Sequence, residues 1–265
     1  SAPISTGLKI SATFDKATKV ALSKLKLEPK KIGACYMGSE SFPYAVKPVS
    51  TILASMLGMK NEYFSSDLQF ACKAGTSAIQ IIASMIESGL IDYGLAVGSD
   101  KSQSKPNDAL EFTAGSGAAA FILGNKKEKW TASLKQTLSY SSDTPDFWRR
   151  EKCSYPSHAG RFTGVPSYFK HIKNCTNTLL NYTNLKSKDF DYVVFHSPNK
   201  KFPLKVSKQL GFGKKQLRHS LLVENIGNIY SGSSLISFAN ILDHAKQNEK
   251  ILITSYGSGA GSDSF

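Results

Sequence analysis

Apolar positions along the chain fall into alternating helical and strand-like stretches, and the same order occurs twice. In the first half a helical period over residues 11–25 leads to a short apolar run at 32–37, a helical stretch at 45–57, another at 74–88, and the run Tyr93-Gly94-Leu95-Ala96-Val97-Gly98. The second half repeats the series with a helix at 167–182, a strand at 192–195, a helix at 202–210, a long helix at 230–245 and a strand at 251–256. Short, nearly continuous apolar runs are what strands covered by helices on both faces require. Residues 118–123 and 130–141 read as further strands, and 142–161 as a long polar and aromatic loop. The strand at 130–141 opens the second repeat, whereas nothing matching it precedes residue 11. Because the chain also begins at Ser1 rather than Met, an N-terminal strand of the first repeat is expected to be absent from this sequence. The predicted organisation is α/β in two halves, 1–124 and 125–265, with the first incomplete at its start.

A duplicated α/β core places its site between the halves, beyond the carboxyl ends of the strands. Cys72, in Phe70-Ala71-Cys72-Lys73-Ala74-Gly75-Thr76, stands at the start of the helix predicted over 74–88. The free N–H groups and positive dipole end there are expected to favour the nucleophilic thiolate. A buried core cysteine explains the same fragment equally well. In the repeat alignment Glu40, after the first strand, matches His196, after the strand at 192–195, and Cys72 matches Asn228. Singly, each of these polar residues reads as a solvated, turn or capping residue. Together, at symmetric positions around a helix-tip cysteine, they point to nucleophilic acyl chemistry. The run Gly115-Ser116-Gly117-Ala118-Ala119-Ala120 precedes a strand rather than opening a helix, so it does not bind a dinucleotide phosphate. Gly257-Ser258-Gly259-Ala260-Gly261 follows a strand, and its glycines are expected to let backbone approach an acyl group.

Composition narrows the class. No apolar stretch approaches the roughly 18 residues of a membrane span, and nothing resembles a secretory leader. Cysteines at 35, 72, 153 and 175 are neither dense nor in CxxC pairs. That spacing predicts reduced cytosolic thiols, with no disulfide frame or metal site, and makes the sequons at Asn174 and Asn181 chance matches. The net charge of +13 comes from lysines spread along the whole chain, with short clusters at 24–31, 126–129, 200–205 and 214–218. A solvated basic surface accounts for this pattern better than a nucleic-acid interface does.

Five strings occur in order along the chain: Gly38-Ser39-Glu40-Ser41-Phe42-Pro43-Tyr44-Ala45-Val46-Lys47-Pro48, the Cys72 string, Asp143-Thr144-Pro145-Asp146-Phe147-Trp148-Arg149-Arg150, Gly160-Arg161-Phe162-Thr163-Gly164, and Gly227-Asn228-Ile229-Tyr230-Ser231-Gly232. Together they resemble hydroxymethylglutaryl-CoA synthase of the archaeal type, in the thiolase superfamily. The resemblance implies the duplicated thiolase fold, layered α-β-α-β-α. It implies condensation of acetyl-CoA with acetoacetyl-CoA and water to 3-hydroxy-3-methylglutaryl-CoA and free CoA, in the mevalonate route, with no cofactor beyond the CoA substrates. Cys72 then matches the nucleophile that takes the acetyl group, and Glu40 the base that removes a proton from its methyl. His196 matches the group that binds and polarises the acetoacetyl ketone, with Asn228 hydrogen-bonding nearby. Thr113 and Ser258 match acyl-contacting positions, and Arg161, Thr163, Lys201 and Lys205 match places where the family holds CoA. Family members of this type resemble homodimers that associate with an acetoacetyl-CoA thiolase and a small zinc-containing bridging protein. Complete members begin with several dozen further residues, and Phe42 stands where relatives often carry a small polar or imidazole side chain.

Two rival readings share the fold. A ketoacyl synthase III-like condensing enzyme uses a Cys-His-Asn trio, which Cys72, His196 and Asn228 supply. Glu40 discriminates, because a decarboxylating condensation generates its carbanion by losing carbon dioxide and needs no base. The other rival is a truncated, non-catalytic subunit of a thiolase-family complex, and it is tested by whether a companion chain carries the absent segment.

Overall fold

The computed structural model describes residues 2–125 and 130–265, with side-chain surroundings from Phe14 onward; the basic run at 126–129 lies outside the described residues. The first half runs α1 (Ala2–Leu25), β1 (Ala34–Gly38), α2 (Val49–Leu57), β2 (Phe64–Leu68), α3 (Ala74–Glu87), β3 (Tyr93–Lys101) and β4 (Ser116–Gly124). The second half runs β5 (Leu138–Ser141), a small hairpin of β6 (Phe147–Trp148) and β7 (Ser157–His158), α4 (Lys170–Thr183), β8 (Tyr192–Phe195), α5 (Lys201–Gln209), the single turn α6 (Val223–Ile226), α7 (Ser233–Leu242), β9 (Ile251–Thr254) and β10 (Gly261–Ser264). Strand order is β2-β1-β3-β4 in one sheet and β5-β10-β9-β8 in the other. In the first sheet β1 is parallel to both β2 and β3, and β4 joins antiparallel at the edge; in the second β8 and β9 are parallel, and β10 is antiparallel to both β9 and β5.

Alternation along β1 divides the first core. Cys35 and Met37 face Phe14, Leu22, Val49 and Leu53 of α1 and α2. Ala34, one residue out of phase, faces Ala78, Ile79 and Ile82 of α3, together with Leu235 of α7. The second sheet repeats this arrangement. Val193, Phe195 and Leu252 meet Ile172 and Leu179 of α4 and Val206 of α5, while Val194 and Ile253 meet Ile241 of α7. Helices α3 and α7 thus form a middle layer between two sheets, α1 and α2 cover one outside, and α4 and α5 the other. This is the α-β-α-β-α layering of the thiolase-like fold.

Several predicted elements are corrected. The helix expected over 45–57 begins at Val49, because Pro48 holds an extended backbone at φ −66° and ψ 130°. Of the strand expected over 130–141 only Leu138–Ser141 forms. The long helix expected over 230–245 is a 3-10 turn, Tyr230–Gly232, followed by α7, and the strand over 251–256 stops at Thr254. The polar segments β2 and β10 are strands that apolar patterning does not mark, and β6 and β7 lie inside the stretch expected to be loop. Among the described residues no helix is long and apolar enough to cross a membrane.

Candidate active site

Glu40 is carried by the loop that leaves the carboxyl end of β1. Gly38 at that end has no room for a side chain, since a Cβ there would lie 2.4 Å from the backbone nitrogen of Gly75. The loop is fastened to Asp100, a buried carboxylate on β3. Its Oδ1 accepts from Ser39 Oγ (2.7 Å), Ser41 Oγ (2.6 Å) and the Glu40 backbone N–H (2.8 Å). Its Oδ2 accepts from the backbone N–H (2.9 Å) and Oγ (2.6 Å) of Ser231, in the other half of the molecule. One carboxylate therefore ties the Glu40 loop to the turn before α7. Sequence reasoning passed over Asp100, for which the only signal was a charged residue at the end of an apolar strand.

Cys72 sits in a tight turn before α3. Ala71 takes a left-handed conformation at φ +46°, and the Lys73 and Ala74 amides donate back to the Phe70 and Ala71 carbonyls. A non-glycine residue in that region is uncommon and stores backbone strain. Cys72 is 4% exposed, and its thiol lies close enough to the Glu40 carboxyl for each to shift the other's pKa. Burial, followed by the nearby charge of Asp100, raises the Glu40 pKa to about 8, with the Cys72 thiol and Arg149 pulling the other way. Burial and the Glu40 charge hold the Cys72 thiol well above its ordinary value. The expectation that the helix N-terminus favours a resting thiolate is thus overturned. The dipole is outweighed by desolvation and a neighbouring carboxylate, and the resting sulfur keeps its proton.

On the opposite half, Gly227 at φ +74° turns the chain so that Asn228 pairs with the segment around Thr113. The Asn228 N–H donates to the Thr113 carbonyl at 2.6 Å, and the Gly115 N–H donates to the Asn228 carbonyl at 3.1 Å. The side-chain Oδ1 of Asn228 accepts from the Tyr230 N–H (3.0 Å) and Ser233 Oγ (2.8 Å), which fixes the amide with Nδ2 as its remaining donor group. His196 follows β8, and its backbone is held by Thr254 and by the Tyr168 hydroxyl, which donates to the His196 carbonyl at 2.7 Å. Burial lowers its imidazole pKa to about 3, so the ring is neutral at neutral pH. Its Nδ1 and the Oε1 of Glu40 are buried polar atoms without a hydrogen-bond partner among the described residues. Buried polar atoms are seldom left so, and a bound ligand would satisfy them.

A cavity of about 190 Å³ opens onto Glu40, lined also by Ala71, Tyr230, Ser258, Phe147 and Arg149 among others. Of the sequence-predicted residues, the structure places Cys72 beside Glu40, puts Glu40 and Ser258 on this cavity, and pairs Thr113 with Asn228, while Cys72, His196, Thr113 and Asn228 lie behind the cavity wall. It leaves Arg161 and Thr163 in the 3-10 turn Gly160–Thr163, and Lys201 and Lys205 on α5, outside the cavity wall. Lys205 lies over the Phe169 ring at 5.0 Å. The glycines of 257–261 serve a different end from the one expected. A Cβ on Gly257 would lie 2.6 Å from the Phe70 carbonyl, and one on Gly261 2.6 Å from that of Tyr140, so they admit the protein's own backbone. Asp146 pins that loop to the hairpin by accepting from the Gly259 N–H and the Tyr256 hydroxyl, each at 2.8 Å.

Family models described as 3-oxoacyl-(acyl-carrier-protein) synthase III and its C terminal match residues 66–141 and 180–264. The chain is 52% identical to the hydroxymethylglutaryl-CoA synthase of Archaeoglobus fulgidus over 250 residues, which is 94% of this chain and 72% of that protein. Among solved structures it superposes with TM-score 0.86 on the 3-oxoacyl-(acyl-carrier-protein) synthase III of Aquifex aeolicus, at 18% identity, over 96% of this chain and 83% of that one. It superposes with TM-score 0.85 on MvaS in complex with 3-hydroxy-3-methylglutaryl coenzyme A, at 22% identity, over 96% and 71%.

Proposed function

The chain belongs to the hydroxymethylglutaryl-CoA synthase family, and from that membership we propose how its residues carry the family's reaction. Acetyl-CoA and acetoacetyl-CoA condense with water to 3-hydroxy-3-methylglutaryl-CoA and free CoA, an acyl transfer in the mevalonate pathway. The observation that supports the residue roles is the buried Glu40 carboxyl on the cavity beside the Cys72 thiol, with its Oε1 left without a hydrogen-bond partner among the described residues.

Glu40, as a carboxylate, takes the Cys72 proton as sulfur attacks the acetyl thioester, and passes it to the departing sulfur so that CoA leaves as the free thiol. With its pKa near 8 the carboxyl can hold that proton and release it at neutral pH, as an acid–base group must. Returned to its carboxylate form, Glu40 removes a proton from the acetyl methyl, and the resulting carbanion adds to the ketone of acetoacetyl-CoA. Neutral His196 and the Asn228 amide offer hydrogen-bond donors to the oxygen that gains charge. Thr113 positions Asn228 through its carbonyl, and Ser258 lines the acyl cavity. Arg161, Thr163, Lys201 and Lys205 form the CoA-binding side, where guanidinium and ammonium groups suit phosphate. The two halves, 1–124 and 125–265, each supply one member of the Glu40–His196 and Cys72–Asn228 pairs.

The proposal extends to a homodimer, which the outer edge of β2, unpaired among the described residues, and its half-exposed Phe64 favour. It extends also to association with an acetoacetyl-CoA thiolase and a small zinc-containing bridging protein, on the sequence resemblance alone. A cytoplasmic location fits the four free cysteines.

Intact-protein mass spectrometry after mixing with acetyl-CoA tests the reading. One acetyl adduct on Cys72 is expected, discharged as hydroxymethylglutaryl-CoA when acetoacetyl-CoA is added. Glu40→Ala is expected to block that discharge. An adduct discharged only by malonyl thioesters would replace this reading with the ketoacyl synthase, whose name the matching family models carry. Absence of any adduct would favour the non-catalytic subunit.

A further inference from the structure

Two cations stand next to the reacting groups, and they differ in what they are free to do. Lys73 follows Cys72 in the chain, but its ammonium is spent. It lies 2.8 Å from Asp263 Oδ1, 3.0 Å from Ser77 Oγ and 3.7 Å over the Phe70 ring, with its side chain 4% exposed. Arg149, just after β6, lines the cavity with Glu40. Its guanidinium makes two long contacts, both to backbone carbonyls: Nη2 donates to the Glu40 carbonyl at 3.4 Å and Nη1 to that of Cys153 at 3.5 Å. Most of its five N–H donors are therefore uncommitted. Among the described residues that line the cavity, it is the only cation.

The condensation creates an anion in this place. After carbon–carbon bond formation the product is still a thioester of Cys72. Water forms the new C–O bond as the C–S bond breaks, one proton returns to sulfur, and the acid loses another, so the product leaves carrying a carboxylate. That charge arises beside Glu40, in surroundings that already resist ionisation of a carboxyl group. A second anion there requires a cation to offset its desolvation.

We propose that Arg149 is the carboxylate-binding residue of the site, receiving the carboxylate that hydrolysis of the Cys72 thioester creates. This rests on the condensing reading given above. A guanidinium suits the task because its planar fork meets both oxygens of a carboxylate at once, which an ammonium does not. The long contacts to the two carbonyls hold the group at the cavity without consuming it.

Calorimetric titration with 3-hydroxy-3-methylglutaryl-CoA and with 3-hydroxy-3-methylbutyryl-CoA, which lacks only the carboxylate, tests the assignment. The native protein is expected to bind the first about 10- to 100-fold more tightly, the range of one charge-assisted contact. In Arg149→Met that ratio falls close to one, and in Arg149→Lys it lies between. If Arg149→Met does not fold by circular dichroism, Arg149→Gln is read on the same scale. A ratio unchanged by removing the charge, or no discrimination in the native protein, overturns the assignment. Failure of the native protein to bind either thioester overturns the condensing reading itself, and the proposal with it.

Discussion

Glu40 is buried beside the Cys72 thiol, and the cost of ionising it there has a consequence for stability. Its pKa is near 8 in the folded protein against an ordinary 4.5. Between those values the folded state binds more protons than the unfolded chain, so stability falls as pH rises through that window and levels off above it. Glu40→Gln removes the titration while keeping the shape. Melting temperatures of the two proteins should nearly coincide at pH 4.5, with the variant higher by several degrees at pH 8.5, since about 1 kcal/mol moves a chain of this class by roughly 2–4 °C. Parallel profiles across the window would show that the carboxyl is not shifted. The placement of these residues was legible in the chain, because a cysteine before a helical period and polar residues after apolar runs are local signals. Their electrostatics were not, because the helix-tip argument for a thiolate sees only α3 and not the Glu40 and Asp100 carboxylates that the fold brings beside it. Arg149 was visible only as part of a recognisable string, since the cavity it lines exists only after folding.

At the scale of elements, the polar strands carry what apolar patterning overlooks. Strand β10 reads Gly-Ser-Asp-Ser, with no apolar side chain, yet all four residues are buried. It lies there because Asp263 finds partners in Lys73, Thr76 and Ser77 at the tip of α3 and in Ser139 on β5. A strand whose buried face is satisfied by hydrogen bonds leaves no period-2 hydrophobic trace. Strand β2 is missed for a related reason: it forms an edge, and its Asp67 is used to hold the first amides of α2, those of Val49 and Ser50, at 2.6 and 2.9 Å. The Lys73–Asp263 pair is the more demanding case, because removing one member strands the other charge in the interior. Asp263→Ala is expected to lower the unfolding free energy by about 3–5 kcal/mol, whereas the double variant Lys73→Met with Asp263→Leu recovers much of that loss. Urea titration of the three proteins checks it, and a loss below about 1 kcal/mol for the single variant would mean that the pair is hydrated in solution.

The whole molecule is joined by two carboxylates that work in opposite directions. Asp100, on the first sheet, holds Ser231 at the start of the second half's middle helix, and Asp263, on the second sheet, holds Lys73, Thr76 and Ser77 at the start of the first half's middle helix. Between them the backbones come close enough that a Cβ on Gly75 or Gly98 would lie 2.7 or 2.5 Å from the Ser231 carbonyl. The repeat made the two halves legible in the chain, but not this cross-bracing, which joins residues far apart in sequence. Neither middle helix can leave without stranding a buried charge of the other half, so the halves are expected to unfold together. The two tryptophans allow a direct check. Trp130 packs on Gly124 and Tyr93 of the first sheet, with its Nε1 donating to the Asn125 carbonyl at 2.6 Å, while Trp148 belongs to the hairpin of the second half. Trp148→Phe, which keeps Trp130, therefore reports the edge of the first sheet, and Trp130→Phe, which keeps Trp148, reports the hairpin of the second half. Their urea midpoints should coincide in the otherwise native chain and separate when Asp263→Ala is added, because one brace is then gone. Midpoints that already differ before that change would mean that the halves fold independently and that the carboxylates orient the site without coupling the units that carry it.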